Sequence, residues 1–223
     1  MRGLVLGPAF DAYGSSVLLT SGWLLSTFCL MMLSLSKTYY QIFLSQGLGF
    51  GIGIALQFYP LLVVPSHWFL KKRALAMGIV VAGSSLSGVI FPIMLSRLFQ
   101  SIGFPWAVRT LAFMCFALQA ISIPFVKERF PARKGVARFD ETIKADKPFL
   151  MHLISGFFMA FGLYAPFWYI ELYGLQQGVS ANLAFYLISI MNASGVIGRV
   201  VLGHAGDKAS RYAFLTVIIS PQI

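Results

Sequence analysis

Six stretches of about 20 residues or more run through this chain with almost no formal charge: Val17–Ser36, Tyr40–Val64, Ala74–Leu95, Trp106–Val126, Phe149–Ile170 and Ala181–Leu202. At about 1.5 Å of rise per residue, a helix of that length crosses a hydrocarbon core of roughly 30 Å. Within lipid every backbone amide and carbonyl must be paired inside the protein. A long continuous apolar run meets that demand as a helix. No stretch alternates apolar and polar residues at period two, which excludes a β-barrel. The expected fold class is an all-α membrane protein with six complete transmembrane helices. Met1–Phe10 and Ala213–Ile223 read as two partial ones, the first as the tail of a helix rather than a signal peptide.

Of the 223 residues 58% are hydrophobic and 11% charged, whereas soluble domains are about a quarter charged. The formal net charge of +10 raises the question of nucleic-acid binding. The cations, however, sit in short gaps between apolar runs, where they orient a chain in a bilayer. Lys71, Lys72, Arg73, the seven basic residues of 127–147, and Arg199, Lys208 and Arg211 fall on one side of the six spans. Lys37, Arg97 and Arg109 fall on the other. The richer side is expected to be cytoplasmic. Cys29 and Cys115 lie inside apolar runs and support no disulfide framework.

Residues 127–148 form the one long polar connection, with Pro131, Gly135 and Pro148 as helix breakers. They divide the chain into an N-terminal half (1–126) and the start of a C-terminal half (149–223). A motif repeats on the two sides of this linker. Gly7-Pro-Ala-Phe-Asp11-Ala-Tyr-Gly14 and Gly203-His-Ala-Gly-Asp207-Lys-Ala-Ser210 share Gly-x-x-x-Asp-x-x-small at an offset of 196 residues. Each follows an apolar run and is read as a loop. Two such copies imply two pseudo-repeated halves.

This repeated motif resembles the loop signature of the major facilitator superfamily, which implies that the chain runs from late in helix 2 to early in helix 9 of that fold. His67–Ser85, reading HWFLKKRALAMGIVVAGSS, looks like the helix 4–5 junction of monocarboxylate transporters; Asn192–Gly203, reading NASGVIGRVVLG, is similar to helix 8 of fungal members. The resemblance implies a secondary active carrier working by alternating access, here as a truncated form. Its implied partners are the lipid bilayer and a small organic anion, with a proton as possible co-substrate. Two positions depart from the pattern. Ser15 and Ser16 stand where the loop usually continues with basic residues, and Gly195 stands where animal carriers place an Asp before the helix 8 Arg. No Asp–Arg proton relay is therefore carried over.

Arg199 is the candidate substrate ligand, because a charge inside a span costs about 2.5–3.5 kcal/mol on insertion scales and persists where it meets a cavity or partner. Its guanidinium can hold a carboxylate at two points. Asn192, Gly195 and Arg199 share one helix face, small and polar as a cavity lining would be. The other reading pairs Arg199 with Asp207 or a lipid phosphate. Tyr164 and Ser84 are the remaining substrate-binding candidates; Tyr164 and Trp168, one turn apart, read equally well as interfacial anchors. Asp11, Gly14, Arg73, Gly203, Asp207 and Arg211 are assigned to gating, with the carboxylates accepting helix N-terminal amides or pairing with Arg. Arg109 reads as snorkelling at an outer end.

Gly47, Gly49, Gly51 and Gly53 supply Gly-x-x-x-Gly pairs for helix packing, since no strand precedes them as a nucleotide-binding loop requires. Gly78, Gly83 and Gly88 are read likewise as a smooth face along which helices slide. Pro60, Pro92 and Pro166 would bend their spans. His67, His152 and His204 are dispersed, so no metal or cofactor is expected. No pair of catalytic groups lies within the spans, so no enzyme is expected. A carrier of a larger solute such as riboflavin and a non-transporting scaffold are the rival readings. A plasma-membrane location is expected, with a vacuolar or other organelle membrane as the alternative.

Tags inserted at residues 38 and 140 are expected in opposite compartments when tested by protease protection on sealed vesicles. The same compartment for both would overturn the threading.

Overall fold

The computed structural model describes residues 6–129 and 147–208. All regular structure in them is helical: α1 (Leu6–Leu35), α2 (Tyr39–Ile42), a π-helical stretch (Phe43–Gly49), α3 (Phe50–Trp68), α4 (Arg73–Ser122) with a 3-10 turn (Ile123–Phe125), α5 (Lys147–Leu163), α6 (Ala165–Gln176) and α7 (Ala181–Lys208). Four helical stretches among these residues are long and apolar enough to cross a membrane: Ala9–Leu35, Tyr39–Trp68, Arg73–Phe125 and Ala181–Asp207.

The difference from the expected six lies at two interruptions. Ala74–Leu95 and Trp106–Val126 are joined within α4, which is broken only at Gly103, with φ 75° and ψ 169°. A continuous helix of 50 residues would reach about 75 Å, more than twice the hydrocarbon thickness. Gly103 turns the chain instead, because only a residue without Cβ enters that backbone region cheaply. Phe125 thereby returns to line the same groove as Trp68 and Lys72. The single span expected at Phe149–Ile170 is instead divided between α5 and α6, which part at Tyr164, just before Pro166 in the first turn of α6, and neither is among the four long apolar stretches. Pro60 and Pro92 leave α3 and α4 unbroken.

The repeated motifs are not loops. Residues 6–13 are helical, and the break falls at Gly14, with φ 79° and ψ 174°. Gly203 to Lys208 is helical, within α7. The remainder of the second motif, the partial span 213–223 and linker residues 130–146 lie outside the described residues.

Packing registers are antiparallel. Along α1 and the π-helical stretch with α3, Cys29 meets Gly49, Ser26 meets Gly53 and Gly22 meets Gln57. Along α1 and the second part of α4, Leu30, Leu33, Val108 and Ala112 form one buried cluster, and Trp23 stacks on Phe116 at 4.6 Å between centroids. A second cluster joins Phe10, Leu18 and Val64. Trp68, Lys72 and Lys127 thus gather at one end of the bundle. Arg109 lies at the other, where it donates to Ser34 Oγ at 3.2 Å and covers the Trp106 ring at 4.9 Å. It is half-buried and bonded rather than snorkelling. Large apolar side chains such as Phe28, Phe58, Phe113 and Ile197 stay on the surface, as suits a chain bathed in lipid.

Only part of the expected glycine packing is realised. A Cβ on Gly53 would lie 2.9 Å from the Ser26 backbone N, whereas one on Gly51 would meet nothing within 4 Å. Gly22, not singled out beforehand, is a tight point of the α1–α3 crossing: its Cβ would lie 2.7 Å from both Gly53 O and Gln57 Cγ. Gly22→Ala is therefore expected to lower the unfolding midpoint in detergent, at a cost of about 1–3 kcal/mol for an overpacked site. Gly51→Ala should leave the midpoint unchanged.

Candidate functional site: the α4–α7 seam

The first part of α4 and α7 lie against each other along most of their length. At Gly78 a Cβ would sit 2.5 Å from the Arg199 carbonyl oxygen; at Gly203 it would sit 2.9 Å from the Ala74 carbonyl oxygen. Bare backbone therefore faces bare backbone, the arrangement that small residues permit between membrane helices. Gly88 faces the Asn192 carboxamide and Gly195 faces Ser85 Oγ. Gly83, expected on the same smooth face, meets nothing within 4 Å.

Arg199 reaches across this seam. One terminal nitrogen donates to the Val81 carbonyl at 2.8 Å and to Ser84 Oγ at 2.7 Å. The Val81 carbonyl is already engaged in its own helix, and a carbonyl with a second lone pair can accept a guanidinium as well. The partners of Arg199 in this conformation are thus on α4, at Val81 and Ser84, whereas the Asp207 carboxylate meets backbone amides. Asn192 Nδ2 donates to Ile188 O of its own helix at 2.9 Å. Asn192, Gly195 and Arg199 do share one face, and that face is packed against α4 rather than open.

At the basic end the Asp207 carboxylate accepts the amides of Ala74 at 2.8 Å and Leu75 at 3.0 Å. The first amides of a helix have no partner within it, and Lys72, at the N-cap position of α4, gives no side-chain cap. Asp207 supplies the missing acceptor from another helix and places negative charge at the positive end of the α4 dipole. Arg73 is exposed at the start of α4; it is the backbone beyond it, not its guanidinium, that meets Asp207.

A matching contact closes the N-terminal bundle. Glu128 Oε1 accepts the Ser15 amide, the first after the break at Gly14. A Cβ on Gly14 would approach that same carboxylate oxygen at 3.0 Å. Glu128 was not singled out from the sequence, where it is one of four acids in a polar linker. The signal available was the helix restart at Gly14-Ser15-Ser16, which demands an acceptor. Asp11 is partly buried in the helical segment before that break. Tyr164 is 58% exposed at the α5–α6 junction and is not joined to the seam. Arg211 lies outside the described residues.

Residues 3–223 match the Major Facilitator Superfamily. The chain belongs to that superfamily. It is a multi-pass integral membrane protein of a transporter family, not an enzyme. An MFS-type transporter of Aspergillus terreus is 45% identical over 213 residues, 94% of this chain and 72% of its own length. The fujikurins efflux protein of Gibberella fujikuroi is 42% identical over 219 residues, 94% of this chain and 46% of its own. The aspyridones efflux protein of Emericella nidulans is 42% identical over 217 residues, 97% and 44% respectively. The chain thus spans less than half the length of these last two. Within the superfamily the chain lies close to fungal efflux proteins.

Removing the cap should loosen the start of α4. In Asp207→Ala, hydrogen exchange at Ala74 and Leu75 is expected to quicken by about 2- to 30-fold, the equivalent of a lost N-cap of about 0.5–2 kcal/mol. Asp207→Asn keeps a neutral acceptor and should show a smaller rise. Unchanged exchange in Asp207→Ala would remove the capping role.

Proposed function

We propose that the chain is the central part of an exporter of small organic metabolites, and that the α4–α7 seam is the closed gate between its two bundles. The reading is supported by one observation: Arg199 crosses from α7 to bond the Val81 carbonyl and Ser84 hydroxyl of α4. The named products of two relatives, fujikurins and aspyridones, motivate the outward direction.

In this mechanism 1–126 and 149–223 belong to two bundles of a six-plus-partial helix arrangement, rocking about a site near the midplane. With the gate closed, Arg199 is held by α4 and Asp207 caps it. When the bundles part, both groups lose their partners together. A guanidinium left without acceptors in a span is costly, and a cargo carboxylate offers it a two-point replacement. Asn192, Ser84 and Tyr164 would then line the opened space, while Gly78 and Gly203 allow the backbones to close again. Asp11, Gly14, Arg73 and Arg211 would accompany Asp207 at the gate. The same logic favours an acidic cargo over a neutral one and leaves proton coupling to be measured.

The test compares two probes in vesicles containing the full-length parent protein: a lipophilic aromatic carboxylate and its methyl ester. Arg199→Gln is expected to depress carboxylate export at least tenfold, while ester export falls much less. Equal loss of both would confine Arg199 to latching the seam, and undiminished carboxylate export would exclude it from the substrate role. No export of either probe by the unaltered parent would count against an organic-anion carrier.

A further inference from the structure

At the basic end of the bundle, α3, the start of α4 and the turn after α4 enclose a surface groove of about 460 Å³. Its floor is apolar, formed by Leu61, Val64 and Pro65 of α3, Ile79 and Val80 of α4, and Phe125. Its mouth is cationic, because Lys72 and Lys127 both stand in the lining and both are exposed.

The position of Lys127 is built rather than incidental. Trp68, which also lines the groove, donates its indole N–H to the Lys127 carbonyl at 2.9 Å. Arg129 lies over the Trp68 ring at 5.8 Å and donates to the His67 carbonyl at 3.4 Å. The intervening acid does not neutralise this mouth, since Glu128 is turned to the Ser15 amide. The groove therefore joins an oily floor to two lysines beside an interfacial tryptophan, at the end of the molecule where the basic connectors collect. A soluble anion would leave the floor unfilled. A neutral lipid would leave the lysines unused.

We propose that this groove holds an acyl chain of an anionic phospholipid from the adjacent leaflet, with its phosphate between Lys72 and Lys127. Such a lipid bridges the helix 67–68 end, the start of α4 and the first linker residues, and so fastens the linker to the N-terminal half. Basic residues at a bilayer surface each favour anionic lipid by about 1 kcal/mol, about fivefold in affinity.

The full chain, purified in detergent, would be examined by native mass spectrometry with dioleoyl phosphatidylglycerol or dioleoyl phosphatidylcholine, which share acyl chains and differ in charge. One phosphatidylglycerol is expected to remain bound at concentrations where phosphatidylcholine is lost. Lys72→Gln and Lys127→Gln should each weaken its retention about fivefold, and Lys71→Gln, exposed but outside the groove, should not. Ile79→Trp, which fills the exposed floor, should weaken retention of both lipids, with helix content by circular dichroism confirming an intact fold. Equal retention of the two lipids, or no loss in the lysine variants, would overturn the proposal. Displacement of phosphatidylglycerol by an equal concentration of glycerol 3-phosphate would overturn it too, by assigning the site to a bare phosphate.

Discussion

The closeness of α4 and α7 governs the rest of the arrangement. Helices in lipid gain little from the hydrophobic effect between themselves, so they associate through van der Waals contact and polar bonds that only a near approach permits. Glycine at 78 and 203 removes the side chains that would hold the two backbones apart. That approach brings Arg199 within reach of Val81 and Ser84, and Asp207 within reach of the first amides of α4. A side chain at either glycine would separate all these partners together. The seam is therefore one cooperative unit rather than a list of contacts.

Helix ends are the second constraint. Each start leaves amides that lipid cannot satisfy, and this chain meets the need with carboxylates borrowed from distant segments. Asp207 serves α4, and Glu128 serves the helix that restarts after Gly14. Both donors of charge stand at the C-terminal end of another apolar helix, so the end of one helix is tied to the start of another. The two ties differ in consequence. Glu128 ties the first linker residues to the N-terminal half, whereas Asp207 joins segments that the linker separates.

Span positions were legible in part because burial in lipid demands long uncharged runs: Val17–Ser36 ends with α1, Tyr40–Val64 falls within the helical stretch Tyr39–Trp68 and Ala181–Leu202 starts with α7, although α1 begins at Leu6 and α7 continues to Lys208. The packing role of Gly49, Gly53, Gly78 and Gly88 followed from residue size alone. What composition did not carry was direction. Gly51 and Gly83 have the same residue type and look outward, and helical spacing does not say which face meets a neighbour. Gly103 left no mark stronger than any other glycine, yet it divides α4. Arg199 was visible as an isolated charge, but its partners are a backbone carbonyl and a serine 115 residues or more away, which no local pattern encodes. The repeated Asp motif was found and misread as a loop. The cap it supplies needs a helical Asp207 facing another helix start.

A seam that serves as the proposed gate must hold without holding too well. Polar bonds between membrane helices are each worth about 0.6–2 kcal/mol, because the separated helices find other partners, and an N-cap contributes about 0.5–2 kcal/mol. The seam offers a few such terms, which together bias one conformation without locking it. In the proposed mechanism, a cargo that replaced even the Arg199 partners would recover a comparable amount, and that differential binding is what a ligand needs to shift a two-state equilibrium. Had Arg199 been paired with a buried carboxylate instead, its release would expose two uncompensated charges at several kcal/mol. For the gate proposed here, neutral acceptors at Val81 and Ser84 would keep the cost of opening within the range that a bound organic molecule can supply.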